Sequence, residues 1–170
     1  AYQKSHADVG CLWTYSLLYE NRQFFQGKVL AVVSPAEEGR APDGTPFGSA
    51  SGQFLKSLNK VVQSMYALPH EIFAITDYDS RYYVVLLLSL AEDVSVISSA
   101  NPSSLVLLAQ KADAWKDRLM VDLEHGTLDP ALVLTAEMRE FIQKRLSARP
   151  DLVQRMRSAI AADVEKKLRL

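Results

Sequence analysis

The sequence predicts an α/β fold: a mainly parallel sheet flanked by helices. Two observations predict it. Two short apolar runs, Lys28 to Ser34 (KVLAVVS) and Val94 to Ser98 (VSVIS), read as strands that are buried in a sheet. Helical patterns lie before, between and after them, which is the alternation of an α/β layer fold. In such sheets ligands sit outside the carboxyl ends of the strands. Small polar loops lie there in this sequence. Ser99 to Ser104 (SANPSS) directly follows one strand, and Gly44 to Gly52 (GTPFGSASG) lies a short stretch beyond the other.

The elements follow in order. Residues 5 to 25 carry Val9, Leu12, Trp13, Ser16 and Leu17 at helical spacing, and Gln26-Gly27 ends that helix. The first strand is apolar on both alternations and stops at Pro35. Glu37 to Asp43 is a polar turn or hairpin tip. The glycine-rich loop comes next, and so many small residues imply a tight turn or a close approach. Ser51 to Ser64 reads as one helix with the stripe Phe54, Leu55, Leu58, Val61 and Val62. Asp77 to Glu92 reads as a helix capped by Asp77 or Asp79. Its middle, Tyr82 to Leu88, is apolar on every side, so a buried strand is the competing assignment.

After the second strand, Asn101 caps a helix from Pro102 to about Glu124, with Leu105, Leu108, Ala112, Trp115 and Leu119 facing inward. His125-Gly126 ends it. Thr135 to Ser147 opens with Thr135-x-x-Met138, a weak form of the capping box. Pro150 to Lys167 is the last helix, with Leu152, Met156, Ile160, Val164 and Leu168 in register. No internal repeat or low-complexity tract is visible.

Composition narrows the function classes. The chain has 170 residues, 48% hydrophobic and 23% charged, with 19 basic against 20 acidic side chains and a net charge of −1. That balance gives no reason to expect nucleic acid or a membrane as partner. The late basic residues, among them Arg139, Lys144, Arg145, Arg155 and Arg157, read as solvated helix faces. The single cysteine, Cys11, allows no disulfide within the chain, reads as buried packing, and fits a cytoplasmic location. No apolar run is long enough to span a membrane. The start at Ala1 without Met, and the end on a helical pattern, suggest a piece of something longer.

Little catalytic chemistry is visible. His6, His70 and His125 are scattered without ligand spacing, so no metal site is expected; His70 reads as solvent-exposed. Asp77 and Asp79 can share a cation, although capping is the simpler role. Gly48-Ser49-Ala50-Ser51-Gly52 lacks the Lys of a phosphate loop, and no nucleophile elbow occurs.

Four segments, read together, carry a resemblance. They are Gly27-Lys28 through Gly44-Thr45-Pro46 to Lys56-Ser57; Leu68-Pro69-His70-Glu71-Ile72; Asp79-Ser80-Arg81-Tyr82-Tyr83; and Trp115 through Asp122 to Gly126-Thr127-Leu128. In this order they resemble the Gretchen Hagen (auxin-responsive promoter) family of acyl acid–amido synthetases, within the adenylate-forming superfamily. The Gly-x-Pro-Phe-Gly-Ser form looks more bacterial than plant.

The resemblance implies a two-step ligase reaction. A carboxylic acid attacks ATP to give an acyl-adenylate and pyrophosphate, and an amino acid then displaces AMP to form an amide. ATP and Mg²⁺ are implied for the full-length enzyme, and neither is expected to bind this segment alone. The family's phosphate loop is expected before Ala1 and its later nucleotide motifs after Leu170. Residues 1–170 therefore read as a single α/β domain or as a fragment of a larger N-terminal domain, with a helical part over about 102–170. The rest of the same polypeptide is the expected partner, and the segment alone is expected to be inactive, with no catalytic residue assigned. By resemblance the acyl-acid pocket falls at Ala50, Ser51, Ala100 and Asn101. Larger apolar groups stand there in the plant enzymes, so these residues imply a roomier, more polar pocket. The alternative is a non-catalytic α/β module that binds a small ligand or a protein.

Overall fold

In the computed structural model, β1 (Lys28–Val32) and β4 (Val94–Ser99) form a parallel pair. Residues 19–168 are described, together with Val9, Leu12 and Ser16; the side chains of 24, 25 and 163–168 are not. The register runs from Lys28 opposite Val94 to Val32 opposite Ser99, with an irregularity between Lys28 and Val29. On its other flank β1 meets an extended segment: Val29 N donates to Met65 O and Ala67 N to Val29 O, both at 2.9 Å. β1 is thus the inner strand, and Leu30 at its centre is buried.

β4 departs from expectation. It is not buried on both faces. Val94 and Val96 are half-buried, whereas Ser95 and Ile97 are exposed, the alternation of a strand covered on one side only. The polar turn does become a hairpin, β2 (Gly39–Arg40) against β3 (Pro46–Phe47), antiparallel. Its tip lies at 41–45, where Gly44 takes φ 85°.

The single helix expected over 51–64 is two: α1 (Ala50–Ser57) and α2 (Lys60–Gln63). Leu58 turns extended at ψ 146°, and the Asn59 side chain then caps α2 by accepting Val62 N at 3.0 Å. The break defeats the continuous stripe. Leu55 is buried, while Phe54 and Val61 face outward.

The 3-10 helix His70–Ala74 buries Ile72 and Phe73 and leads into α3 (Tyr78–Leu90). His70 is half-buried rather than exposed, with Nδ1 3.3 Å from Glu71 Oε2. The apolar middle of α3 is helix, not strand. Asp77 nucleates it by accepting Ser80 N at 2.8 Å, and residues 82–89 are all buried. A helix apolar all round is the core of its domain. Each such large side chain stabilises the fold by about 1.5–3 kcal/mol relative to exposure.

α4 (Pro102–His125) starts on the Asn101 cap and ends at Gly126, whose φ of 66° is the left-handed C-terminal turn. Leu108 and Leu119 are buried on it, with Ala112 and Trp115 packed at the core's margin. α5 (Ala136–Gln143) is shorter than expected but is capped by Thr135, which accepts Met138 N at 3.2 Å. On α6 (Pro150–Leu168), Val153 is the most buried of the described side chains, Met156 of the expected stripe packs against the core, and Ile160 is exposed; the side chains of Val164 and Leu168 lie outside the described residues.

Arg139 is not a solvated surface charge. It donates to the carbonyls of Asp129, Pro130 and Leu132, pinning the loop between α4 and α5. The other late basic residues mostly find acids: Lys144 with Glu140, Arg155 with Asp151, and Arg157 with Glu124. Arg145 instead lies over the Phe141 ring, 3.6 Å from its centroid. Val9, Leu12, Ser16, Tyr19 and Glu20 are helical. The rest of the helix expected over 5–25, up to Leu18 and including His6 and Cys11, lies outside the described residues. Among the described residues no helix is long and apolar enough to cross a membrane.

Candidate functional site

A cavity of about 270 Å³ opens at the carboxyl ends of β1 and β4. Parallel pairing puts both strand exits on one side, and there Val32, Val33 and Ser34 face Ser99, Ala100 and Asn101 across the opening. The core helix α3 supplies a third wall with Tyr78, Arg81, Tyr82 and Val85. Phe73, Ser51 and Ser104 complete it.

Three of the four residues expected at a pocket therefore line one cavity: Ser51, Ala100 and Asn101. Ala50 does not. It is exposed in the first turn of α1, outside the lining.

The glycine-rich loop is shaped by its own chain. Ser49 N donates to Pro35 O at 3.0 Å, and Ser49 Oγ donates to Ser34 O at 2.8 Å while accepting Gly52 N at 2.9 Å. A Cβ on Gly52 would lie 2.6 Å from Ala36 N, inside contact distance. The close approach predicted from the small residues is thus to the backbone of 34–36. The result places Ser51 at the cavity, its Oγ 3.3 Å from Ser49 Oγ.

The second loop is equally determined. Asn101 Oδ1 accepts Ser103 N at 3.1 Å and Ser103 Oγ at 2.9 Å. Capping therefore fixes which end of the amide faces the helix, and Nδ2 has no partner among the described residues. Ser99 Oγ donates to the Asn101 carbonyl at 3.0 Å, closing the turn.

Arg81 is the only charged residue in the lining. Its Nη1 donates to Ile75 O at 3.2 Å and its guanidinium lies 5.1 Å from the Tyr78 ring centroid. One contact of this kind leaves further N–H donors on the fork. Sequence reasoning missed this residue, although a signal existed. Positions 78, 81, 82 and 85 follow the i, i+3, i+4, i+7 spacing of one helix face.

Tyr78 hydroxyl donates to Tyr82 hydroxyl at 3.2 Å. Burial, then the bond to Tyr78, raises the pKa of Tyr82, so it stays a neutral phenol; its hydroxyl also meets the Ser104 side chain. Behind this wall Lys111 Nζ sits 2.5 Å from Asp79 Oδ1 and 4.5 Å from the Trp115 ring centroid. Asp77 and Asp79 thus go to separate partners, a cap and a lysine, and do not converge on a shared cation. Among the described residues no group of three or more His, Cys, Asp or Glu side chains is placed to hold a metal ion. The wall can bind and orient an anion, and it offers no carboxylate, thiol or imidazole for proton transfer.

Residues 2–169 match the GH3 family N-terminal domain. The chain belongs to the GH3 family. This is the Gretchen Hagen family whose segments the sequence resembles, and the match covers nearly the whole chain. Among solved structures, the GH3 chain is similar to a GH3.15 acyl acid amido synthetase, with a TM-score of 0.74 at 21% identity. At that identity the likeness establishes the fold, a mixed α/β arrangement with a parallel sheet. It covers 89% of this chain and 27% of the synthetase, so the GH3 chain spans about a quarter of the protein it matches. No curated protein matches it significantly.

Proposed function

We propose that this GH3 chain forms the acyl-acid-binding part of an ATP-dependent synthetase that joins a carboxylic acid to an amino acid. The observation that carries the proposal is Arg81. It is the single charge in the lining of a cavity at the strand exits, with Asp77, one turn back at the cap of the same helix, within its electrostatic reach. Its remaining N–H donors suit a substrate carboxylate, which a guanidinium binds through paired N–H groups.

In this reading Arg81 holds the acid's carboxylate while the carbon skeleton rests against Val32, Val33, Phe73 and Val85. In the whole enzyme a carboxylate oxygen attacks the α-phosphorus of ATP and pyrophosphate leaves. The amine of an amino acid then attacks the acyl carbon and AMP leaves. Mg²⁺ belongs to the same reading. The loop at 48–52 is closed against the backbone of 34–36, and this reading assigns nucleotide and metal to the rest of the polypeptide. This segment's contribution is therefore binding, orientation and exclusion of water, with the rest of the polypeptide as its working partner in the cytoplasm.

The test is pyrophosphate release by the full-length protein. Release is expected only when ATP and a carboxylic acid are both present. Failure of every member of a broad acid panel to stimulate release would sink the proposal.

A further inference from the structure

The cavity's lining is unusual in one respect. Ligand pockets are lined predominantly by apolar side chains with a few polar groups. Here hydroxyl and amide groups match the apolar ones. Ser51, Tyr82, Ser104 and Asn101 come from α1, α3, α4 and the loop before α4, and all reach the same space. Their internal bonds leave capacity unused. Among the described residues Ser51 Oγ is hydrogen-bonded only to Ser49 Oγ, and Asn101 Nδ2 has no partner. The volume, about 270 Å³, stands at the small end for a ligand site.

From this we infer that the acid taken by this cavity is short and carries a hydroxyl group beyond its carboxylate. The inference rests on the acid-binding reading proposed above and deepens it. The physical reason is desolvation. An acid with an apolar body displaces water from Ser51, Ser104 and Asn101 and returns nothing to them. A hydroxylated acid both donates and accepts, and so replaces the lost water. Sites built to bond a substrate hydroxyl reject the analogue lacking it far more strongly than apolar pockets reject a methylene. The carboxylate stays with Arg81, and the Asn101 amide and the serine hydroxyls serve the second polar group.

The experiment is calorimetric titration of the full-length protein with matched pairs of acids, 3-hydroxybutyrate against butyrate and 4-hydroxybenzoate against benzoate. In at least one pair the hydroxylated member is expected to bind at least about tenfold tighter. In Ser51→Ala or Ser104→Ala the ratio should fall toward one, because the hydroxylated acid loses a partner while the unsubstituted acid no longer strands one. Equal or tighter binding of the unsubstituted acid in both pairs overturns the inference and leaves the acid-binding reading standing. A preference that survives both serine variants also overturns it, because the discrimination then lies elsewhere. Binding of none of the four acids overturns it too, and the pyrophosphate assay on the broad panel then decides the acid-binding reading separately.

Discussion

The Tyr83 hydroxyl donates to Asp122 Oδ2 at 2.7 Å inside the core, joining α3 to α4. Asp122 is 5% exposed and Tyr83 1%. The same carboxylate accepts Thr127 Oγ1 at 2.7 Å and Asp129 N at 3.0 Å. One buried charge thus organises the end of α4 and the loop that follows. It also explains why two of the four segments behind the family resemblance, 79–83 and 115–128, occur together. They are two halves of one hydrogen-bonded core, and the first also carries Arg81 and Tyr82 to the cavity wall.

Asp122→Ala should destabilise the protein by several kcal/mol, since it strands the buried Tyr83 hydroxyl at about 1–3 kcal/mol and also removes the part-buried bonds from Thr127 Oγ1 and Asp129 N. Tyr83→Phe should cost less, about 1.5–3 kcal/mol, because Asp122 keeps its other two partners. Urea unfolding followed by Trp115 fluorescence reads both, as Trp115 lies 5.7 Å from the Tyr83 ring. Equal losses in the two variants would contradict the assignment of Asp122 as the hub.

The same pair sets an alkaline limit. Burial first, and then the bond to Asp122, hold the Tyr83 hydroxyl's pKa well above its ordinary value. The unfolded chain releases this proton near pH ~10, and the folded chain later. Above that pH the folded state binds more protons, so stability falls as pH rises. The contribution is fully present below the unfolded pKa. Tyr83→Phe should flatten the decline in stability above about pH 10, measured by unfolding midpoints across that range. An unchanged decline would assign it to other groups.

Arg81→Gln should raise the KM for the carboxylic acid by on the order of tenfold or more, with the KM for ATP little changed, through loss of a charge-assisted bond. The substitution sits at the cavity wall and outside the buried core, so the unfolding midpoint should barely move. Equal increases in both KM values would place Arg81 outside acid recognition.

Ser51→Leu should narrow the range of acids accepted, because a larger side chain projects into a cavity of about 270 Å³. Bulkier acids should lose kcat/KM first. An unchanged acid profile in the full-length enzyme would return the loop to a plain connection.

Gly52→Ala should destabilise by about 1–3 kcal/mol through overpacking. The new methyl meets the carbonyl of Ser34 and the backbone of 35–36, which cannot yield as a side chain would. A neutral result would show that α1 can shift away from β1 at no cost.

Much of the fold is legible in local signals. Asn101 before Pro102, Thr135 before Met138, and Gly126 after His125 all mark helix ends through backbone hydrogen bonds that involve only near neighbours. The parallel alternation follows from apolar runs separated by helices. The errors have tertiary causes. Asn59 interrupts a stripe that periodicity alone extends across it. Val153, not Leu152, faces inward because α4 decides which side of α6 is covered. Ile97 is exposed because, among the described residues, β4 pairs with β1 on one flank and is covered on one face.

The candidate site divides the same way. The sequence alone determined that two small polar loops lie near the strand exits, and by resemblance it pointed to Ala50, Ser51, Ala100 and Asn101 as pocket residues. It could not decide that Ala50 turns outward, nor that Arg81 turns in, since each depends on how a helix is rotated against the sheet. Rotation is set by long-range packing, in α3 by an apolar surface so complete that the sequence marks no preferred face. Only the tertiary structure, by packing α3 into the core, set Tyr78, Arg81, Tyr82 and Val85 as the face that meets the cavity.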